Sequence, residues 1–159
     1  MVIPSQLTAA PEPRAQALYR REVKTGGLYA FKVEFRWAKR IYRTIELRSE
    51  QTLDDLHHAI QRAIHWDADH LYSFFVGGVA RDGRYRISCP YEEHSPPWTD
   101  EAVVGELGLM QGHKFLYYFD YGDCHEFEVQ VVDVRPQAKA GEYPRVVDAK
   151  GDAPPQYGW

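Results

Sequence analysis

The chain lacks the features that mark secreted and membrane proteins. Its 159 residues include only two cysteines, Cys89 and Cys124, too few for a disulfide framework and typical of a reducing, cytoplasmic compartment. No stretch approaches the roughly eighteen consecutive apolar residues of a membrane span. Residues 1–10 have neither the basic nor the apolar region of a secretory signal. We therefore expect a cytoplasmic protein that does not insert into a membrane.

Motifs for catalysis and cofactor binding are also missing. The sequence contains no G-x-S-x-G, no P-loop and no glycine fingerprint for dinucleotides. Cys124 and His125 are neighbours, but adjacent strand residues point to opposite faces, so we do not expect a nucleophile–base pair. No cofactor is implied, and an enzyme is the less favoured class.

The composition indicates one globular domain with unevenly distributed charge. Hydrophobic residues make up 44% of the chain and aromatic residues 14%, which is typical of a packed core. The formal net charge is −4, yet residues 14–48 carry ten Lys/Arg and three Glu, whereas residues 92–133 carry ten Asp/Glu and one Lys. Either the two segments neutralise each other as neighbours, or they mark a face that binds a partner.

The clearest predicted elements are two strands followed by a helix. Apolar residues occupy every second position over residues 28–37, which predicts a half-buried strand. Residues 40–48 are predicted to pair with it in antiparallel orientation. Thr52 and Asp55 suit the N-cap and third position of a helix that ends at His65, and its apolar residues recur at spacings of three and four.

Further strands are predicted in the second half of the chain. A short apolar strand covers residues 71–76, a weak strand covers 85–88, and residues 114–120 and 125–134 form a hairpin around Tyr121-Gly122-Asp123. Without the weak strand the order is β-β-α-β-β-β. This order predicts a two-layer α+β fold, in which a single antiparallel β-sheet packs on one main helix.

Proline and glycine suggest the domain boundaries. Residues 1–27 are predicted to form a flexible N-terminal tail with a short helix over residues 14–24, and residues 28–135 form the α+β domain. Residues 136–159 are predicted to form a Pro/Gly-rich C-terminal tail that lies on the domain surface.

Four stretches of the sequence form a recognisable pattern: LYAFKVEFRWAKRIYRTIEL (28–47), TLDDLHHAIQRAIHWDADHLYSFF (52–75), KFLYYFDYGDCHEFEV (114–129) and YPRVVDAKGDAPPQY (143–157). Together they resemble the plasmid pRiA4b ORF-3-like family, small bacterial and archaeal proteins sometimes labelled as insertion-element passengers. The resemblance spans residues 28–157 and implies an α+β domain, but it implies no mechanism. Two positions depart from the family pattern: Tyr42 stands where a Trp is usual, and Cys124-His125 where Asp-Trp is usual.

Histidines cluster around the predicted helix, where His57, His58, His65 and His70 lie within fourteen residues. A zinc site needs three or four converging His, Cys or carboxylate ligands. The candidates for such a set are His57 and His70, completed from the hairpin turn by Asp120 and Asp123, and in principle also by Cys124 and His125. We favour the alternative that His57 and His70 are partly buried, hydrogen-bonded side chains, because the sequence has neither an H-x-x-x-H pair nor a C-x-x-C.

Arg43 is the one charged residue in an otherwise apolar row of the second strand. A buried charge without a partner is costly, so we expect Arg43 to reach solvent or to pair with Asp120 or Asp123 at the sheet end. The competing hypothesis is an anion-binding or catalytic cleft. The candidate cleft residues are Arg43, His57, His70, Asp120, Asp123 and His125.

Basic and aromatic residues alternate along the first strands. Lys32, Arg36, Lys39 and Arg40 supply cations that suit phosphates, and exposed aromatic rings nearby would stack on bases. The alternation places most of these rings on the opposite, core-facing side, which argues against nucleic-acid binding.

The favoured hypothesis is a small cytoplasmic, non-catalytic protein-interaction module that uses the sheet end around residues 120–125. One alternative is a metal-assisted hydrolase or nuclease that uses His57, His70, Asp120 and Asp123. The other is nucleic-acid binding through the basic segment 14–48.

Overall fold

The computed structural model describes residues 25–77, 86–93 and 96–157. The short helix predicted at residues 14–24 lies outside this range. The described part of the chain contains seven strands, an α-helix and a short 3-10 helix at Val104–Glu106. The strands and the α-helix are β1 (Leu28–Phe35), β2 (Ala38–Arg48), α1 (Leu53–Ile64), β3 (Tyr72–Phe75), β4 (Arg86–Ser88), β5 (Lys114–Phe119), β6 (His125–Arg135) and β7 (Arg145–Lys150).

The strands form a single sheet in the order β4-β3-β5-β6-β1-β2-β7, and all neighbouring strands are antiparallel. The predicted α+β class with one antiparallel sheet and one main helix is confirmed. The order of elements differs from the prediction at β4, which occupies the predicted weak strand, and at β7. Residues 145–150, predicted to be surface tail, pair with β2 and extend the sheet.

Helix α1 begins and ends as its sequence predicts. Thr52 Oγ1 accepts a hydrogen bond from the backbone N–H of Asp55 at 3.2 Å, and Asp55 Oδ2 accepts from the N–H of Thr52 at 2.9 Å. These reciprocal bonds satisfy donors that have no partner within the helix. His65 ends the helix in the left-handed conformation (φ 59°). The apolar stripe of the helix is buried: Leu53, Leu56, Ile60 and Ile64.

Aromatic residues fill the core between the helix and the sheet. Phe31 is 0% exposed, and its ring lies 6.1 Å from that of Phe115. Tyr117 stacks on Phe74 at 4.8 Å, which joins β5 to β3. The predicted burial of alternate β1 residues is therefore found up to Phe35.

No helix among the described residues is long and apolar enough to cross a membrane.

Candidate functional site

The turn between β5 and β6 is held by its own backbone and by Asp120. Asp120 adopts the left-handed conformation (φ 61°), which short polar residues tolerate better than most. Its Oδ1 accepts hydrogen bonds from the backbone N–H groups of Gly122 at 3.1 Å and Asp123 at 3.3 Å. Its carbonyl accepts from the N–H of Cys124 at 2.7 Å. One carboxylate oxygen of Asp120 is thus committed to the turn.

Three potential metal ligands converge at this turn. Donor atoms of Asp120, Asp123 and His125 all lie within 4.8 Å of one another. His125 is 9% exposed and packs against Trp66, with 4.5 Å between the ring centroids. Burial lowers the pKa of His125, although the carboxylates of Asp123 and Asp120 oppose this effect. A neutral imidazole beside two carboxylates is a ligand combination that zinc accepts.

His70 lies beside this group, as the candidate cleft requires. Its Nε2 is 3.7 Å from Asp120 Oδ2 and 3.4 Å from Asp69 Oδ1. The same nitrogen is 2.6 Å from the hydroxyl of Tyr157, near the end of the chain. The C-terminal segment therefore helps to position His70.

His57 does not join the turn. It is 1% exposed, its ring stacks 3.5 Å from that of Tyr72, and its Nδ1 lies 2.6 Å from the Tyr117 hydroxyl. Gln61 donates to the same hydroxyl at 3.0 Å. Burial, reinforced by the nearby His58, lowers the pKa of His57 to about 2. His57 is thus a neutral part of the core, and the predicted combination of His57 with Asp120 and Asp123 does not form.

His57 and His70 instead share a separate cleft of about 480 Å³ beside the N-terminal half of α1. In this cleft the hydroxyl of Tyr72 donates to Asp54 and lies 2.6 Å from Thr99 Oγ1. Burial and the Asp54 carboxylate raise the pKa of Tyr72. His58 Nε2 is 3.6 Å from the other oxygen of Asp54.

Arg43 also lies away from the turn. Its guanidinium donates to the carbonyls of Tyr42 at 2.8 Å, Lys150 at 3.1 Å and Ala63 at 3.4 Å. The expected pair with Asp120 or Asp123 is not formed, because β2 is two strands away from β6, roughly 10 Å across the sheet. Carbonyls from β7 and the end of α1 satisfy the charge instead. Sequence reasoning missed this solution because it did not predict β7.

The sequence pattern also misplaced Trp37. Alternation predicts that Trp37 faces the core, but β1 ends at Phe35 and Trp37 lies in the β1–β2 turn with 75% of its surface exposed. The indole borders two clefts of about 350 Å³ each. We call the first the acidic cleft; it is lined by Phe35, Trp37, Ala38, Asp123, Cys124, His125 and Glu126. We call the second the basic cleft; it is lined by Arg36, Trp37, Lys39, Lys114, Phe115, Leu116 and Glu128.

Two of the four candidate phosphate-binding residues have partners within the domain. Arg36 Nη1 forms an ion pair with Glu126 Oε1 at 3.1 Å. The Lys32 ammonium lies 4.4 Å from the centre of the Tyr42 ring. Lys39 and Arg40 are exposed in the first residues of β2. Because β1 pairs with β6, the basic and acidic segments of the sequence are neighbours in the sheet.

Comparison with known proteins finds a family model, a curated relative and a solved structure that are similar to this chain. The family model described as plasmid pRiA4b ORF-3-like protein matches residues 28–157. The uncharacterized protein y4hQ of Sinorhizobium fredii is 30% identical over 107 residues, which is 65% of this chain and 52% of that protein. The chain thus spans about half the length of this curated relative. A crystal structure of a protein of unknown function from Methanosarcina mazei Go1 has the same fold, with a TM-score of 0.67 and 24% identity over 82% of this chain and 72% of that one.

Proposed function

Since the chain belongs to the plasmid pRiA4b ORF-3-like protein family, we propose for this member a role as a non-catalytic protein-interaction module. A peptide segment of the partner binds across Trp37, at the end of the sheet formed by the β1–β2 and β5–β6 turns. The observation that carries the proposal is the 75% exposed indole of Trp37 between two clefts.

Tryptophan is enriched among the residues that contribute most to protein–protein binding. It presents a large rigid surface and loses little conformational entropy when it is covered. The Arg36 guanidinium lies 5.4 Å from the indole centre, and its ion pair with Glu126 connects the β1–β2 turn to β6. Trp37 is therefore presented on a fixed hairpin, which lowers the cost of ordering the site when a partner binds.

The proposal that the module is non-catalytic rests on the structural contacts of the side chains that a catalytic site would use. Asp120 Oδ1 holds the turn, and His57 is buried against Tyr117. The thiol of Cys124 is 3.1 Å from the Tyr118 hydroxyl and 3.4 Å from the Tyr121 carbonyl. An exposed thiol also suits a cytoplasmic location, which is part of the proposal.

Selection of peptides from a random library displayed on phage tests this function. We expect the wild-type protein to enrich peptides that bind at least tenfold more weakly to the Trp37→Ala variant, since truncation of a central tryptophan commonly costs about 2 kcal/mol or more. Met110→Ala is the matched control, because Met110 is 70% exposed and lies outside both clefts. Enriched peptides that bind Trp37→Ala as well as wild type would contradict the proposal.

A metal-binding role for the β5–β6 turn is the second candidate function. It is favoured by the convergence of Asp120, Asp123 and His125, a set that does not include the predicted His57. Calorimetric titration of tag-free protein with Zn²⁺ and Mn²⁺ tests it, with Asp123→Asn as the variant that should lose binding. Absence of saturable binding by the wild-type protein eliminates this role and, with it, the metal-assisted hydrolase.

A further inference from the structure

The two clefts beside Trp37 differ in charge. The acidic cleft has two carboxylates, Asp123 and Glu126, and its lining contains no Lys or Arg. The basic cleft has three cations and one carboxylate, Glu128. The indole of Trp37 is shared by both linings. A ligand that crosses Trp37 therefore passes from an anionic surface to a cationic one.

Ion pairs within the domain leave this difference in place. Arg36 and Glu126 neutralise each other across the clefts at 3.1 Å, and Glu126 is nearly buried. On the acidic side, Asp123 has a 53% exposed side chain, and its nearest ionic contact is His125 at 4.0 Å. The acidic cleft therefore presents an exposed carboxylate, Asp123, beside the indole.

On the basic side, Lys114 lies 3.8 Å from Glu128, and its own side chain is 56% exposed. Lys39 is exposed and lies at the start of β2, two residues after Trp37. The basic cleft therefore keeps a net positive charge after its ion pair is counted. Electrostatic complementarity at an interface contributes more to the specificity for a partner than to the affinity for it.

A ligand with charge of one sign fits this arrangement poorly. A nucleic acid would place phosphates near Lys39, but the same backbone would meet Asp123 on the other side of the indole. A uniformly basic segment would meet the reverse conflict. Like charges brought together at an interface cost free energy and exclude wrong partners.

We infer that the partner is a peptide segment with an apolar or aromatic side chain on Trp37, a Lys or Arg directed to Asp123, and an Asp or Glu directed to Lys39. This inference rests on the proposed function and specifies its partner. The binding surface thus recognises an order of charges along the chain, basic then apolar then acidic or the reverse, and not a net charge.

The experiment uses the same peptide library with two charge-reversal variants, Asp123→Lys and Lys39→Glu. We expect the wild-type protein to enrich peptides with one basic and one acidic residue on opposite sides of an apolar residue. Each reversal should weaken the best peptide about tenfold, and a peptide with the matching charge reversed should recover most of that loss. Lys139→Glu and Glu142→Lys are the controls, because both residues are exposed and lie near the opposite ends of β1 and β2.

Three results overturn the inference, and they are distinguishable. Suppose that the selected peptides need Trp37 for binding but do not carry a basic and an acidic residue on opposite sides of an apolar residue. This result refutes the inference and leaves the proposed function standing. An absence of Trp37-dependent peptides refutes the proposed function as well. The third result is that the protein binds a single-stranded oligo(dT) of about ten nucleotides more tightly than any selected peptide, and that Lys39→Glu weakens this binding. Nucleic-acid binding would then replace both the proposed function and the inference.

Discussion

The buried His57 makes the stability of this protein sensitive to acid. In the folded state burial lowers the pKa of His57 from 6.5 to about 2, and the nearby His58 adds to this effect. An unfolded chain binds a proton at this imidazole below pH 6.5, whereas the folded protein does not. Because the unfolded state then binds more protons, the free energy of unfolding falls as the pH decreases from 6.5 towards 2.

The size of this effect follows from the two pKa values. Each pH unit between them corresponds to about 1.4 kcal/mol, so a change from pH 7 to pH 4.5 removes about 2.5 kcal/mol of stability. This is a large share of the roughly 5–15 kcal/mol that holds a typical domain folded. Carboxylates also titrate over part of this range, so the contribution of His57 is the difference between proteins with and without its imidazole.

Urea denaturation of the wild type and of His57→Phe at pH 7.0 and pH 4.5 measures that difference. His57→Phe keeps an aromatic ring beside Tyr72 but does not titrate, so the wild type should lose about 2.5 kcal/mol more than the variant. His57→Gln serves if the phenylalanine variant does not fold. His58→Gln, at a side chain that is 47% exposed, should behave like the wild type. Equal losses in wild type and His57→Phe would show that the imidazole takes up its proton in the folded state, so that burial of His57 does not make folding sensitive to acid.

The remaining predictions concern stability at pH 7, measured by urea denaturation. Thr52→Ala removes the N-cap of α1 and should cost about 1 kcal/mol, whereas Thr52→Ser should cost much less. Tyr121→Phe removes the hydroxyl that donates to Glu92 at 2.8 Å and accepts from Arg86 at 2.9 Å; we expect a loss of about 1–2 kcal/mol, and no loss would show that this contact is not stabilising. Phe127→Ala empties a site that is 1% exposed and should cost about 3–5 kcal/mol, so a loss below about 1 kcal/mol would contradict the burial of Phe127 in the core.

Sequence patterns predicted those parts of the fold that depend on interactions between residues close together in the chain. The cap at Thr52, the apolar stripe of α1 and the alternation of β1 each involve residues a few positions apart. The C-terminal strand β7 escaped prediction because its pairing with β2 shifts between Thr44 and Ile45, which face Asp148 and Val146. Val147 is thus an additional residue at a bulge, and a bulge removes the alternation that marks a strand.

The candidate site was less predictable, because it depends on strand order and on where strands end. The expected contact between Arg43 and the β5–β6 turn required β2 to lie next to β6, but β1 separates them. The exposure of Trp37 follows from the end of β1 two residues earlier. The alternation of apolar residues continues in the sequence beyond Phe35, so it cannot show where β1 ends. The convergence at the turn was accessible to sequence reasoning, because Asp120, Asp123 and His125 lie within six residues.

The position of β1 in the middle of the sheet also affects how the chain folds as it is synthesised. One edge of β1 pairs with β2, which follows directly, but the other edge pairs with β6, which begins at His125. At roughly 5–20 residues per second, the ribosome needs about 5–20 s to add the residues between them. During this interval one edge of β1 has no strand to pair with, and the apolar side chains that later lie in the core are exposed. The nascent chain is therefore most prone to misassociation before the β5–β6 hairpin emerges.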